Sequence, residues 1–166
     1  MKRQLLVIRH ADTESKRPGQ DDHDRQLTAR GRGDALRVAA RIEQLGATPD
    51  LVLCSDAERA QSTWSCMHEV LEEVTDVTYT SDLYLAGVDR LLERLYAVDD
   101  ECARVAVIAH NPGLQNFVQW LSGTAVRMNP CTVALLEGRG SSWAESLGQR
   151  TWEVDEVLQP RLPGGV

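Results

Sequence analysis

The clearest indication of the fold is the stretch Arg104-Val105-Ala106-Val107-Ile108-Ala109-His110-Asn111-Pro112-Gly113. Its first six residues form a nearly continuous apolar run, which is typical of a strand that is buried on both faces of a sheet. The run ends in a polar turn, where Asn111 can cap a helix and Pro112 can occupy its first position. We therefore predict a central strand over 104–109 and a helix directly after it.

The same succession of strand and helix recurs along the chain. Apolar runs at 5–8 and 51–54 predict two more buried strands, and 77–80 is a third strand candidate. Apolar residues with helical spacing follow these runs; they are Ala35, Val38, Ala39, Ile42 and Leu45, then Ala60, Thr63, Trp64, Met67, Val70 and Leu71, then Val88, Leu91, Leu92 and Leu95. Thr28 and Asp56 stand where the first two helices would be capped.

Alternating strands and helices are typical of an α/β domain. We predict a three-layer α/β/α sandwich with a mainly parallel central sheet. Residues 132–136 and 151–154 add two later strand candidates around a turn rich in glycine and serine. We find no repeat and no linker, so we predict a single domain over residues 1–158 and a loose tail over 159–166.

Composition excludes several kinds of partner. The chain has 166 residues with 18 Lys and Arg against 25 Asp and Glu, a net charge of −7, and only 4 Trp, 3 Tyr and 1 Phe. Nucleic acids and anionic membranes select basic surfaces, and single-stranded nucleic acid also selects aromatic ones, so we expect neither partner. The chain lacks a signal-like or membrane-spanning apolar run, and its four cysteines lack zinc spacing; we therefore expect a soluble cytoplasmic protein without metal or cofactor.

Polar side chains follow three of the predicted strands. They belong to Arg9-His10-Ala11, to Ser55-Asp56-Ala57-Glu58-Arg59 and to His110-Asn111-Pro112-Gly113. A single histidine at a strand end is more often structural, and a single arginine is usually a surface charge. Because the carboxyl ends of parallel strands form one edge of the sheet, these residues are expected to meet there. Their joint placement favours an anion-handling site.

The residue types at this edge suit a phosphoryl group. An arginine guanidinium presents a planar fork that matches two phosphate oxygens. A histidine can be a neutral nucleophile in one position and a charged donor in another. Positioning and charge stabilisation account for most of the catalysis of phosphoryl transfer, so little more is required of the protein.

These stretches resemble the motifs of the histidine phosphatase superfamily, which includes the phosphoglycerate mutases. Ile8-Arg9-His10-Ala11 is similar to its Arg-His-Gly/Ala signature. Three further stretches resemble its small SixA-like branch of phosphohistidine phosphatases: Asp24-Arg25-Gln26-Leu27-Thr28 with Gly31, Ser55 to Thr63, and Val107 to Pro112. Gln26 and Asp56 depart from the branch, which usually has proline at the first position and often at the second.

The resemblance implies a phosphoglycerate mutase-like fold and a role for each matching residue. His10 would be the nucleophile that becomes phosphohistidine, and His110 the second histidine that binds the transferring group. Arg9 and Arg59 would clamp the phosphate, and Arg25 would add a further contact. The resemblance implies no cofactor and no metal.

A general acid is not identified by any motif. Larger members of the superfamily protonate an alkoxide leaving group with a carboxylate, and the candidates here are Asp82, Asp89, Glu93, Asp12, Asp22 and Asp24. An alkoxide is a difficult leaving group because its conjugate acid has a pKa comparable with that of water, about 15.7. Imidazole leaves with a pKa of about 6.5 and needs less help. The sequence therefore favours a protein phosphohistidine as substrate.

Other functions stay open at this point. A small phosphorylated molecule could be the substrate of a phosphomonoesterase or mutase of the same superfamily. The chain could instead be a non-catalytic module that binds phosphate. A divalent-metal hydrolase that uses His10 and His110 would need carboxylate ligands that the motifs do not supply.

Overall fold

The computed structural model describes residues 1–161, in which six strands form one sheet. The strands are β1 (Lys2–Arg9), β2 (Leu51–Ser55), β3 (Val77–Thr80), β4 (Arg104–Ala109), β5 (Val133–Arg139) and β6 (Glu153–Leu158). Their order is β3-β2-β4-β1-β5-β6; the first four are parallel, and β5 and β6 are antiparallel to their neighbours. The prediction of an α/β fold with a mainly parallel sheet is confirmed.

Helices cover both faces of the sheet. They are α1 (Ala29–Gln44), α2 (Glu58–His68), α3 (Val88–Tyr96), α4 (Gly113–Ser122) and α5 (Trp143–Ser146). The apolar faces of α1 and α2 pack on one side against β1, β2 and β4, and α3, α4 and α5 pack on the other. Successive strand residues point to opposite faces, so Leu6 and Ile8 belong to the first core and Leu5 and Val7 to the second. The three-layer sandwich follows from this alternation.

Some predicted boundaries are confirmed and others are wrong. Thr28 caps α1 as expected, because its hydroxyl accepts the Gly31 amide at 2.9 Å. Asp56 does not cap α2; Ala57 occupies that position, and the Asp56 carboxylate pairs with His23 at 2.9 Å instead. Pro112 is the cap of α4 rather than its first residue. The last strand begins two residues later than predicted and runs on to Leu158.

The C-terminal tail, which we predicted to be loose from 159 to 166, is described only as far as residue 161. There the Gln159 carbonyl accepts a hydrogen bond from Arg41 at 3.2 Å. The prediction for 162–166 lies outside the described residues. Within residues 1–161, no helix combines the length and the apolar character that crossing a membrane requires.

Strand register places the two predicted histidines side by side. Arg9 of β1 pairs with Ala109 of β4, so His10 and His110 both follow the same rung of the parallel ladder. Strand β2 lies on the other side of β4, where Cys54 pairs with Ile108 and Ser55 ends the strand. The carboxyl ends of β2, β4 and β1 therefore form one continuous edge.

Candidate active site

His10 is buried at the end of β1 in a defined tautomer. Its Nδ1 lies 2.9 Å from the carbonyl oxygen of Ala11, which can only accept a hydrogen bond. Nδ1 must therefore carry the proton, and Nε2 keeps its lone pair. The pKa of His10 is lowered to about 4, chiefly by burial and also by the Arg59, Arg9 and Arg25 cations, although the Ala11 hydrogen bond opposes the shift. The ring is thus a neutral potential nucleophile at neutral pH.

His110 lies beside His10, with the ring centroids 5.2 Å apart. Its Nε2 is 2.8 Å from the hydroxyl of Ser55, and that hydroxyl also accepts the Ala57 amide at 3.2 Å. Nε2 is the only acceptor that the Ser55 hydroxyl proton has among residues 1–161, so we assign that proton to the hydrogen bond with Nε2 and the proton of the neutral ring to Nδ1. Nδ1 is buried and has no hydrogen-bond partner among residues 1–161. Burial and the neighbouring His10 lower the pKa of His110 to about 3.

Three arginines converge on this pair. Arg59 is only 2% exposed, and its two terminal nitrogens donate to the Asp22 carbonyl at 2.7 Å and to the Asp22 carboxylate at 3.1 Å. Arg25 reaches the same carboxylate through Nε at 3.2 Å. Burial, together with the Arg25 and Arg59 cations, lowers the pKa of Arg9. All five predicted site residues thus belong to one cluster, and its charge is locally positive within an acidic protein.

Tyr84 is a site residue that sequence reasoning missed. Its ring centroid lies 5.7 Å from the Arg59 guanidinium carbon and 5.5 Å from the His110 ring, which it meets edge-on. The loop that carries it packs tightly on α4: a Cβ at Gly113 would lie only 1.8 Å from the Ala86 carbonyl oxygen. Tyr84 follows β3 by four residues, so an inspection of that strand end, as for the other three, would have found it.

Asp22 is the one general-acid candidate that contacts the arginines. The Tyr84 hydroxyl donates to its carboxylate at 2.7 Å, and this hydrogen bond, aided by Arg59 and Arg25, holds the pKa of Asp22 below its usual value. Asp22 is therefore ionised at neutral pH.

The other five candidates face elsewhere. Asp82 pairs with Arg94 at 3.4 Å, Glu93 pairs with Arg90 at 3.0 Å, and Asp12 accepts from Thr28 at 2.8 Å. Asp24 and Asp89 are exposed. Among residues 1–161, no three His, Cys, Asp or Glu side chains converge as a metal-binding group.

An NMR titration should divide the histidines into two kinds. The rings of His10 and His110 are expected to stay neutral as the pH falls through 6.5, because burial lowers both pKa values. His23 should gain its proton above pH 6.5, because the hydrogen bond from its ring to Asp56 raises its pKa. Below 6.5 the unfolded chain binds protons at positions 10 and 110 that the native protein does not, so stability should fall with the pH.

The ring signals can be assigned with single His→Asn variants. A His10 midpoint at the ordinary value of 6.5 would contradict the buried, neutral imidazole that the geometry implies.

Comparison with known proteins gives concordant matches. Residues 5–84 match the model of the histidine phosphatase superfamily (branch 1). An uncharacterised chloroplastic protein of Arabidopsis thaliana is 30% identical over 171 residues, which cover 95% of this chain and 78% of that protein. A solved structure from Nakamurella multipartitia, proposed to be a phosphohistidine phosphatase SixA, is 28% identical with a TM-score of 0.84 and covers 96% of this chain and 97% of its own.

The corresponding Agrobacterium tumefaciens structure, also proposed to be SixA, has a TM-score of 0.82 at 23% identity, covering 95% of this chain and 98% of its own. At that identity the likeness concerns the fold alone. The shared fold thus extends over nearly the whole chain.

Proposed function

Because the chain belongs to the histidine phosphatase superfamily and is a histidine-dependent phosphatase, we propose that it dephosphorylates a phosphohistidine side chain of a protein through a phosphorylated intermediate on His10. The observation that carries this proposal is the environment of His10. Its Nε2 has the lone pair, its ring is neutral, and the charges of Arg9, Arg25 and Arg59 are close enough to lower its pKa. Family membership also favours this function over a non-catalytic phosphate-binding module.

The reaction has two balanced steps. In the first, His10 Nε2 forms a bond to phosphorus while the bond from phosphorus to the substrate imidazole breaks, and that imidazole takes a proton from solvent. In the second, water attacks the phosphorus, releases orthophosphate and restores the lone pair on Nε2. Arg9, Arg25 and Arg59 neutralise charge on the phosphoryl oxygens, and the Nδ1 proton of His110 is donated to one of them.

The leaving group is the reason for choosing phosphohistidine. Asp22 is the carboxylate nearest to the arginines, and it is held ionised, so it has no proton to donate to an alkoxide. An imidazole leaving group has a conjugate-acid pKa of about 6.5 and departs without such a donor. The strand-to-helix connections at 56–57 and 110–112 are short, and residues 1–161 place no cap domain over the site. A protein substrate therefore meets no cap domain at this edge of the sheet.

The test is a comparison of substrates. We expect kcat/KM for a phosphohistidine peptide to exceed that for the matched phosphoserine peptide by about 100-fold or more, equivalent to about 2.7 kcal/mol. The P–N bond also hydrolyses without enzyme, so the His10→Asn protein serves as the blank. Faster turnover of phosphoserine or of a small phosphomonoester would refute the proposed substrate class. Loss of activity in EDTA would instead support the metal hydrolase.

A further inference from the structure

The arginines of the site already hold an anion that belongs to the protein. Asp22 Oδ2 accepts from Arg59 at 3.1 Å and from the Tyr84 hydroxyl at 2.7 Å. Asp22 Oδ1 lies 3.2 Å from Arg25 Nε. A single carboxylate thus pairs with two guanidinium groups and accepts a hydrogen bond from one hydroxyl.

This set of donors is also one that a phosphoryl group would use. Guanidinium groups bind carboxylate and phosphate oxygens through the same planar fork. A phosphoryl group that binds Arg59 and Arg25 would lie beside the Asp22 carboxylate, and burial of Arg59 and both histidines reduces the screening of like charges there. The two anions therefore compete for the same donors.

The attachment of Asp22 allows its carboxylate to move. Its side chain is 38% exposed, in contrast to the 2% of Arg59. It lies on a single turn, residues 22–24, which is held by contacts that do not involve this carboxylate. Asp21 accepts the His23 amide at 3.0 Å, and the His23 ring bonds to Asp56 at 2.9 Å. The Asp22 side chain can rotate while the turn stays in place.

We propose that the Asp22 carboxylate is an exchangeable anion: before substrate binds it holds Arg25, the Tyr84 hydroxyl and one terminal nitrogen of Arg59, and it then releases these donors to the phosphoryl group, while the Asp22 backbone carbonyl keeps the other terminal nitrogen of Arg59 in place. The exchange rests on the proposed function, since it assumes that phosphate binds beside His10. Tyr84 becomes a phosphate-binding residue whose hydroxyl passes from the carboxylate to a phosphoryl oxygen. After hydrolysis, the return of Asp22 to the arginines promotes release of orthophosphate.

The exchange predicts that a neutral side chain at position 22 tightens phosphate binding. We expect Asp22→Asn to lower the Kd for orthophosphate, measured by calorimetry, about tenfold, which corresponds to 1.4 kcal/mol. If Asp22 only positioned Arg59, the same substitution would weaken phosphate binding. The two roles therefore predict changes in Kd of opposite sign. The inhibition constant for orthophosphate in the assay should fall in parallel, and kcat should fall as release slows.

Asp21→Asn is the matched control. It removes the same charge from the adjacent exposed residue, and asparagine retains the cap of the turn. Its Kd should stay within about twofold of the wild type, because the Asp21 carboxylate is exposed to screening by salt and accepts from the His23 amide, not from the site arginines. Asp22→Ser, also neutral, repeats the test if asparagine disturbs folding, which circular dichroism would show.

The outcomes separate this inference from the proposed function. If Arg59→Met abolishes phosphate binding but neither Asp22→Asn nor Asp22→Ser tightens it, the exchange is overturned. The proposed phosphate site beside His10 is retained in that case. If neither Arg59→Met nor the Asp22 variants change phosphate binding, the anion binds elsewhere. That result overturns both the exchange and the proposed function. Tighter binding in the Asp22 variants alone, with Asp21→Asn unchanged, supports the exchange.

Discussion

The His10→Asn protein is expected to lose turnover by at least about 10,000-fold, because it loses the nucleophile on which both chemical steps depend. Asparagine is the informative replacement. Its amide can still donate to the Ala11 carbonyl, as Nδ1 does at 2.9 Å in the native protein, but it has no counterpart of Nε2. The local backbone should survive, since the Cys131 amide donates to the His10 carbonyl at 3.0 Å irrespective of the side chain.

Covalent labelling checks this prediction directly. Wild-type protein mixed with a ³²P-labelled phosphodonor and quenched should retain label that is stable to base and labile to acid. His10→Asn should retain none. His68→Asn is the control. His68 is the last residue of α2, at the end opposite Arg59, and its ring bonds to the Val74 carbonyl and not to a residue of the site. Label that persists in His10→Asn would assign the nucleophile to another residue.

The sequence predicts that the candidate residues lie together because their placement depends on strand ends. Once 5–8 and 104–109 are identified as neighbouring parallel strands, His10 and His110 must lie at the same edge, and the register confirms it. Arg59 lies in the first turn of the helix after β2, so the same rule places it. These positions follow from backbone topology and need no knowledge of side-chain contacts.

The contacts that sequence reasoning missed depend on how loops fold onto the site. Asp56 has the typical position of a helix cap, yet its carboxylate pairs with His23, which is 33 residues away in the chain. The sequence alone does not distinguish Asp22 from the other five general-acid candidates, whereas in the structure its carboxylate pairs with Arg25 and Arg59. Local propensity cannot identify such partners, because the free energy of an ion pair depends on the tertiary position of both charges.

The ionised state of Asp22 likewise depends on tertiary contacts. Its pKa is lowered chiefly by the hydrogen bond from Tyr84, a residue 62 positions later in the chain. A sequence shows a carboxylate near a predicted site but gives neither its protonation state nor its partners. The proposal of a phosphohistidine substrate is supported by this ionised carboxylate, whose partners no motif identifies.

Arg59→Met is expected to reduce kcat/KM by about 100-fold to 1,000-fold, the loss of about 2.7–4 kcal/mol that is typical when one preorganised donor to a developing anion is removed. The guanidinium is buried, and the Asp22 backbone carbonyl and the Tyr84 ring fix its position, so Arg59 itself does not have to move to reach the phosphoryl group. Arg59→Lys should recover only part of the activity, because an ammonium keeps the charge but not the fork.

Folding should tolerate the Arg59→Met change. Methionine fills much of the space of the arginine stem, and the carboxylate of Asp22 that is left behind has a side chain 38% exposed, accepts from the Tyr84 hydroxyl and stays within 3.2 Å of Arg25 Nε. Arg90→Met is the control: it removes an equal charge from an exposed pair with Glu93 on α3, which is worth at most about 1 kcal/mol of stability. Steady-state kinetics on a phosphohistidine peptide should leave Arg90→Met close to the wild type. Equal losses in the two variants would mean that net charge, and not the clamp at the sheet edge, governs activity.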